Sequence, residues 1–229
     1  MTGLVARRMT LTATHSMNTE QLILNLSADV PRVYRHALIE RIASGVGGGA
    51  LVALTLVVAI LGVRPDLQHA MQAFSFWMKW AYTISLGAGA LYAVIRLSRP
   101  TPRSLCGLWL LAVPILLLIG VGIGELANTP RSEWLTLWQG RSWKVCPWQL
   151  LTLAVPIFVG LLWSSHRLAP TRLHAAGAAA GLAAGATAAT IYGLHCAEVS
   201  ALFVLTWYSL GMLLAAAAGA MLGPRLLRW

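Results

Sequence analysis

The chain carries three cysteines, and two of them stand in short polar breaks of an otherwise apolar sequence: Cys146 in Lys144-Val145-Cys146-Pro147 and Cys196 in His195-Cys196-Ala197-Glu198. A nearby cation favours the thiolate, the reactive and metal-binding form of cysteine, and Lys144 and His195 are such neighbours. Cys146, His195, Cys196 and Glu198 together make a soft S, N, S, O donor set of the kind that suits Zn, Cd or Cu. Their spacing matches no established metal motif. The residues alone therefore leave three states open: a structural disulfide, a pair of free reactive thiols, or a metal site. Cys106, beside Ser104 and Gly107, reads as a small packing residue.

Which chemistry is available depends on where the chain holds these thiols. With 229 residues, 58% of them hydrophobic and 10% charged, and a mean hydropathy of +0.70, there is too little polar surface to cover a soluble globule. Crossing ~30 Å of hydrocarbon at ~1.5 Å per residue takes about 20 apolar residues. Six runs meet that need: residues 43–63, 76–97, 105–126, 148–165, 173–194 and 201–223. The expected fold is all-α, a polytopic membrane domain of six transmembrane helices over residues 43–229 behind an N-terminal segment 1–42. The first apolar run begins only at residue 43 and follows no compact basic leader, so it is expected to be retained rather than cleaved.

Basic residues in short loops stay on the cytoplasmic side. Arg7, Arg8, Arg32, Arg35 and Arg41 precede the first run; Arg96, Arg99 and Arg103 follow the second; Arg167 and Arg172 follow the fourth; Arg225 and Arg228 close the chain. The other side holds Arg64, Arg131, Arg141 and Lys144, with Lys79 just inside the start of the second run, where it can snorkel outward, as the only charge expected within a span. Both termini are therefore expected in the cytoplasm, and Cys146 and Cys196 on the opposite face, where a bacterial periplasm permits disulfides. The net charge of +10 is mostly this topological bias, so no direct contact with nucleic acid is expected. Gly177, Gly181 and Gly185 recur every four residues in the fifth run, as Gly211, Ala215 and Gly219 do in the sixth. Such small-residue stripes let two helices approach closely, and the hairpin they form would hold residues 195–200 at the outer surface.

Before the first run, Asn18-Thr19-Glu20-Gln21 has the look of a helix N-cap with a capping-box glutamine, followed by Leu22, Ile23, Leu24 and Leu26. Asp29-Val30-Pro31 restarts a helix whose apolar stripe includes Val33, Tyr34, Ala37 and Leu38. The second of these runs on into the membrane, so a membrane-surface role is the simpler reading for it; the first, short and leucine-rich, suits a protein contact.

The runs Leu22-Ile23-Leu24-Asn25-Leu26-Ser27-Ala28-Asp29, Gly62-Val63-Arg64-Pro65-Asp66-Leu67, Phe76-Trp77-Met78-Lys79 and His195-Cys196-Ala197-Glu198, with Trp207-Tyr208 and Gly223-Pro224-Arg225, resemble the NrsF-like negative regulators of sigma F. The resemblance covers residues 17–229. It implies a six-span bacterial inner-membrane protein, not an enzyme, that acts as an anti-sigma factor for an extracytoplasmic-function sigma factor on the cytoplasmic side. It also implies that two periplasm-facing cysteines sense heavy-metal or oxidative stress. By position these are Cys146 and Cys196, with no cofactor required and a heavy-metal ion (Zn, Cd or Cu) as the candidate ligand. The sigma-binding part maps onto residues 17–42, with Leu22, Ile23, Leu26, Asp29 and Tyr34 as contact candidates. The basic first 16 residues depart from the family's start, which makes Met17 a second candidate initiator. The competing class is a small metal or solute transporter. That needs polar groups at mid-bilayer, and Thr83, Thr187 and Thr190 are the best available.

Overall fold

The structure is a computed structural model and describes residues 19–28, 37–98, 109, 111–165 and 172–226. It divides into two units, residues 1–37 and 38–229. In the first, Thr19–Ala28 forms α1, with Glu20 in its first turn where the helix dipole favours an acid.

Helices are the regular structure of the second unit among the described residues. Its long helices are α2 (Ala37–Leu56, prolonged by a π-turn over Val57–Leu61), α3 (Phe74–Leu97), α4 (Ala112–Ala127), α5 (Cys146–Ser165), α6 (Leu173–Tyr192) and α7 (Ala201–Leu226). Each overlaps one of the six apolar runs. Four segments are long and apolar enough to cross a membrane: Leu38–Leu61, Cys146–Ser164, Leu173–Tyr192 and Ala201–Leu226. The other two differ for separate reasons. α3 has the length, 24 residues, but Lys79, Thr83, Ser85 and Arg96 dilute its apolar character. α4 has the apolar character but only 16 residues, starting where Pro114 is tolerated in a first turn.

α6 is the centre of the packing. Its Ala- and Gly-rich sequence lets α3, α5 and α7 all pack against it, because a helix without bulky side chains brings neighbouring backbones close. A Cβ added to Gly177 would stand 2.2 Å from the Gly219 carbonyl oxygen, and one on Gly181 2.2 Å from that of Ala215. The same device joins α2 to α5, where a Cβ on Gly45 would meet the Gly160 carbonyl at 2.4 Å and one on Gly49 the Pro156 carbonyl at 2.6 Å. Larger side chains complete the core: Tyr192, Tyr208, Phe203, Leu150, Ile157 and Leu161 are fully buried. The apolar side chains of α2 and α4 that face away from this core, Leu51, Val58, Ile60, Leu116, Leu117 and Ile123 among them, are exposed, an arrangement compatible with a lipid-facing surface.

Candidate functional site

Cys146 and Cys196 are brought to one end of the bundle by different means. The turn before α5 presents Cys146: the N–H groups of Val145 and Cys146 both donate to the Ser142 carbonyl, at 3.1 and 2.9 Å, and Pro147 at the next position suits a helix start. Cys196 follows α6, where the Tyr192 carbonyl accepts from the N–H groups of His195 and Cys196 at 2.9 and 3.0 Å. Both thiols are free and buried, with exposures of 0% and 3%. They lie within electrostatic reach of one another. Two tyrosines line the same space. The Tyr192 hydroxyl faces Cys146 and donates to Gln149 Oε1 at 2.7 Å, whereas the Tyr208 hydroxyl, set against Cys196, is buried and makes no hydrogen bond.

The loop that carries Cys196 is tied down from several directions. Lys79 of α3, 1% exposed, donates from Nζ to the Cys196 carbonyl at 3.2 Å and to the Glu198 carbonyl. The Glu198 carboxylate reaches the other way, its Oε1 accepting from the Arg141 N–H at 2.7 Å and from the N–H and hydroxyl of Ser142, each at 3.2 Å. His195 Nδ1 pairs with the Gly62 carbonyl at 2.8 Å. The Arg64 N–H donates to the Leu194 carbonyl at 3.1 Å, while its guanidinium grips Asp66 with two bonds of 2.7 and 2.6 Å. That bidentate grip holds the exposed Asp66 carboxyl down at about 2. Gly140 completes the seat: its φ of +56° is open to glycine, and a Cβ there would lie 2.6 Å from Glu198 Oε2.

α7 starts against the same loop. Ser200 caps it by accepting from the Phe203 N–H at 3.5 Å, and Glu125 at the end of α4 accepts from the Ser200 hydroxyl at 2.9 Å and from the Ala201 N–H at 2.8 Å. A carboxylate there meets the positive end of the helix dipole. Glu125 corrects the expectation of a lone intramembrane charge at Lys79, since it lies inside the run at residues 105–126. It is kept there by donors from α7. Within α7, Trp207 packs at a tilt against Trp138 and Trp143 with ring centroids 5.3 Å away in both cases, and its indole N–H donates to the Trp138 carbonyl at 2.9 Å.

Of the four candidate metal donors, only the two sulfurs are without committed partners. His195 is engaged with Gly62 and Glu198 with residues 141–142, and no three His, Cys, Asp or Glu side chains are grouped to hold a metal ion among the described residues. On α6 and α7, Gly177, Gly181 and Gly185 lie against Gly219, Ala215 and Met212, whereas Gly211 faces Leu150 and Pro147 of α5. In α1, Leu22 and Ile23 are exposed. Leu26 belongs to the same helix; Asp29, Tyr34 and Cys106 lie outside the described residues. The sequence reading missed Lys79, Tyr192, Tyr208, Gln149 and Gly140 as parts of the thiol neighbourhood. A signal existed for Lys79 alone, a lysine in an apolar helix being a default functional candidate.

Comparison with known proteins agrees with the resemblance. The family profile described as negative regulator of sigma F, NrsF, matches residues 26–229. A protein of Azospira oryzae named probable anti-sigma-F factor NrsF is 42% identical over 213 residues, covering 93% of this chain and 100% of that protein. The anti-sigma-F factor NrsF of Caulobacter vibrioides is 40% identical over 215 residues, with coverage of 93% and 100%. No solved structure matches the chain. With a family match over nearly the whole of its length and two such relatives, the chain belongs to the NrsF family of negative regulators of sigma F.

Proposed function

We propose that this protein is an anti-sigma factor of the bacterial inner membrane that holds an extracytoplasmic-function sigma factor on its cytoplasmic face and releases it when Cys146 and Cys196 react. In this reading α2 to α7 are six spans, both termini are cytoplasmic, and residues 17–42 make the sigma contact through Leu22, Ile23, Leu26, Asp29 and Tyr34. Family membership supports the anti-sigma role, and the exposure of Leu22 and Ile23 on α1 suits a partner surface.

The observation that carries the sensing step is the pair itself: two free thiols from separate elements, both buried and within electrostatic reach of one another, beside a loop with many ties. An oxidant taking two electrons would join the sulfurs as a disulfide with loss of two protons. A soft metal ion of the Zn, Cd or Cu kind would instead bind both as thiolates, also releasing two protons. Either product replaces two packed thiols by a bonded unit of different geometry, which the surrounding helices must accommodate by repacking. The test is co-purification. A sigma factor should copurify with the detergent-solubilised wild-type protein and leave it on addition of oxidant or metal. Cys146→Ser and Cys196→Ser should retain sigma throughout. A double variant that still releases sigma normally overturns the sensing role, and wild-type protein that captures no sigma overturns the anti-sigma role.

A further inference from the structure

Lys79 is a cation buried in α3 that makes no ion pair among the described residues. A buried ammonium is costly unless hydrogen-bonded, and this one is spent on two backbone carbonyls of a single short loop, those of Cys196 and Glu198, 117 and 119 residues further along the chain. Backbone carbonyls at those positions would be available whatever the side chains, so the contact fixes where the loop runs rather than what it contains. Only one end of the loop is continuous with helix α6; past Cys196 it has no regular structure until Ala201. Within that stretch the ties are Lys79, the Glu198 carboxylate and the Ser200 hydroxyl on Glu125.

We propose that Lys79 is a positioning residue that latches the loop of residues 196–198 shut over the thiol pair, so that access to Cys196 requires Lys79 to let go. The latch rests on the reading of the thiols as reactive groups, but it is tested without sigma. Cys196 is 3% exposed, so a bulky maleimide reaches it only through transient opening, at a rate proportional to the open fraction. A hydrogen bond to a charged group contributes enough that its loss raises the open fraction about tenfold or more.

The experiment measures maleimide labelling of Cys196 in the solubilised full-length chain, resolved by peptide mass spectrometry, for wild type, Lys79→Met and Lys79→Arg. Met keeps the unbranched stem and removes all donors; Arg restores cation and donors. Labelling at least about tenfold faster in Lys79→Met, with recovery toward the wild-type rate in Lys79→Arg, is the expected result. Equal rates in wild type and Lys79→Met overturn the latch, as does Arg labelling as fast as Met. If Lys79→Met fails to fold, Lys79→Gln decides, since its amide still donates to one carbonyl and should label at an intermediate rate. A wild-type rate there overturns the latch as well. Sigma retention by the same variants reports separately: fast labelling with sigma still bound leaves the latch standing and counts against the signalling role.

Discussion

Gly140→Ala concentrates two costs at one atom. The glycine sits at φ +56° and ψ −164°, a region essentially reserved for glycine, and holding alanine there costs about 1–3 kcal/mol. The added Cβ would also stand 2.6 Å from Glu198 Oε2 and 2.8 Å from Phe203 Cδ2. Phe203 is fully buried and has nowhere to go, so the carboxylate must yield. In yielding it loses at least one of its bonds to residues 141 and 142, worth about 1.5–3 kcal/mol for a charged acceptor. Together the loss of stability comes to about 2.5–6 kcal/mol, measured by reversible unfolding in mixed micelles. Gly120→Ala is the matched control: nothing lies within 4 Å of its Cβ, and in the middle of α4 alanine should gain up to ~1 kcal/mol over glycine. If Gly140→Ala unfolds within about 0.5 kcal/mol of its parent, the loop does not depend on the Glu198 seat and the account of how Cys196 is held is wrong.

Gly219→Ala tests the α6–α7 contact, because its Cβ would lie 2.2 Å from the Gly177 carbonyl oxygen, a backbone atom that moves only with its helix. Destabilisation of about 1–3 kcal/mol is expected in the same unfolding assay, against the Gly120→Ala control. Asp66 gives a pH signature. Its carboxyl titrates lower in the folded protein, about 2, than in an unfolded chain at roughly 3.9, so the Arg64–Asp66 pair contributes fully above that ordinary value and is lost as pH falls toward 2. The thermal midpoints of wild type and Asp66→Asn should therefore differ at pH 6 and converge across that window, roughly pH 4 to 2; a difference that stays constant with pH refutes the assignment.

How much of this was readable from the chain alone follows from how local each signal is. The two cysteines in polar breaks, the apolar runs and the four-residue stripes are patterns within a few turns, and each can be read without knowing what lies opposite. Lys79, Glu125 and Glu198 could not be placed that way. Their partners are the backbone groups of residues 56 to 119 positions away, and every residue offers backbone groups, so no side-chain type in the sequence marks the receiving end. Nor does composition show the second use of Glu198: beside Cys196 and His195 it looks like a metal donor, while its Oε1 accepts from residues 141 and 142 across the loop.

The α7 stripe shows a finer limit of the same kind. Residues four apart on a helix advance by about 400°, so each step turns the stripe by about 40°. Gly219 and Ala215 still look toward α6, but two steps from Gly219 the rotation reaches about 80°, and Gly211 has turned onto Leu150 and Pro147 of α5. Spacing thus marks Gly211 as a close-packing position without saying against which helix. The helix it meets is the one that Cys146 opens, and the residue at issue is only three positions after Tyr208, whose hydroxyl faces Cys196. The small-residue surface of α7 therefore meets α6 along most of its length and the first turn of α5 at its thiol-bearing end. A change in the bonding of Cys146 bears directly on the seam where these three helices join, without any intermediate element.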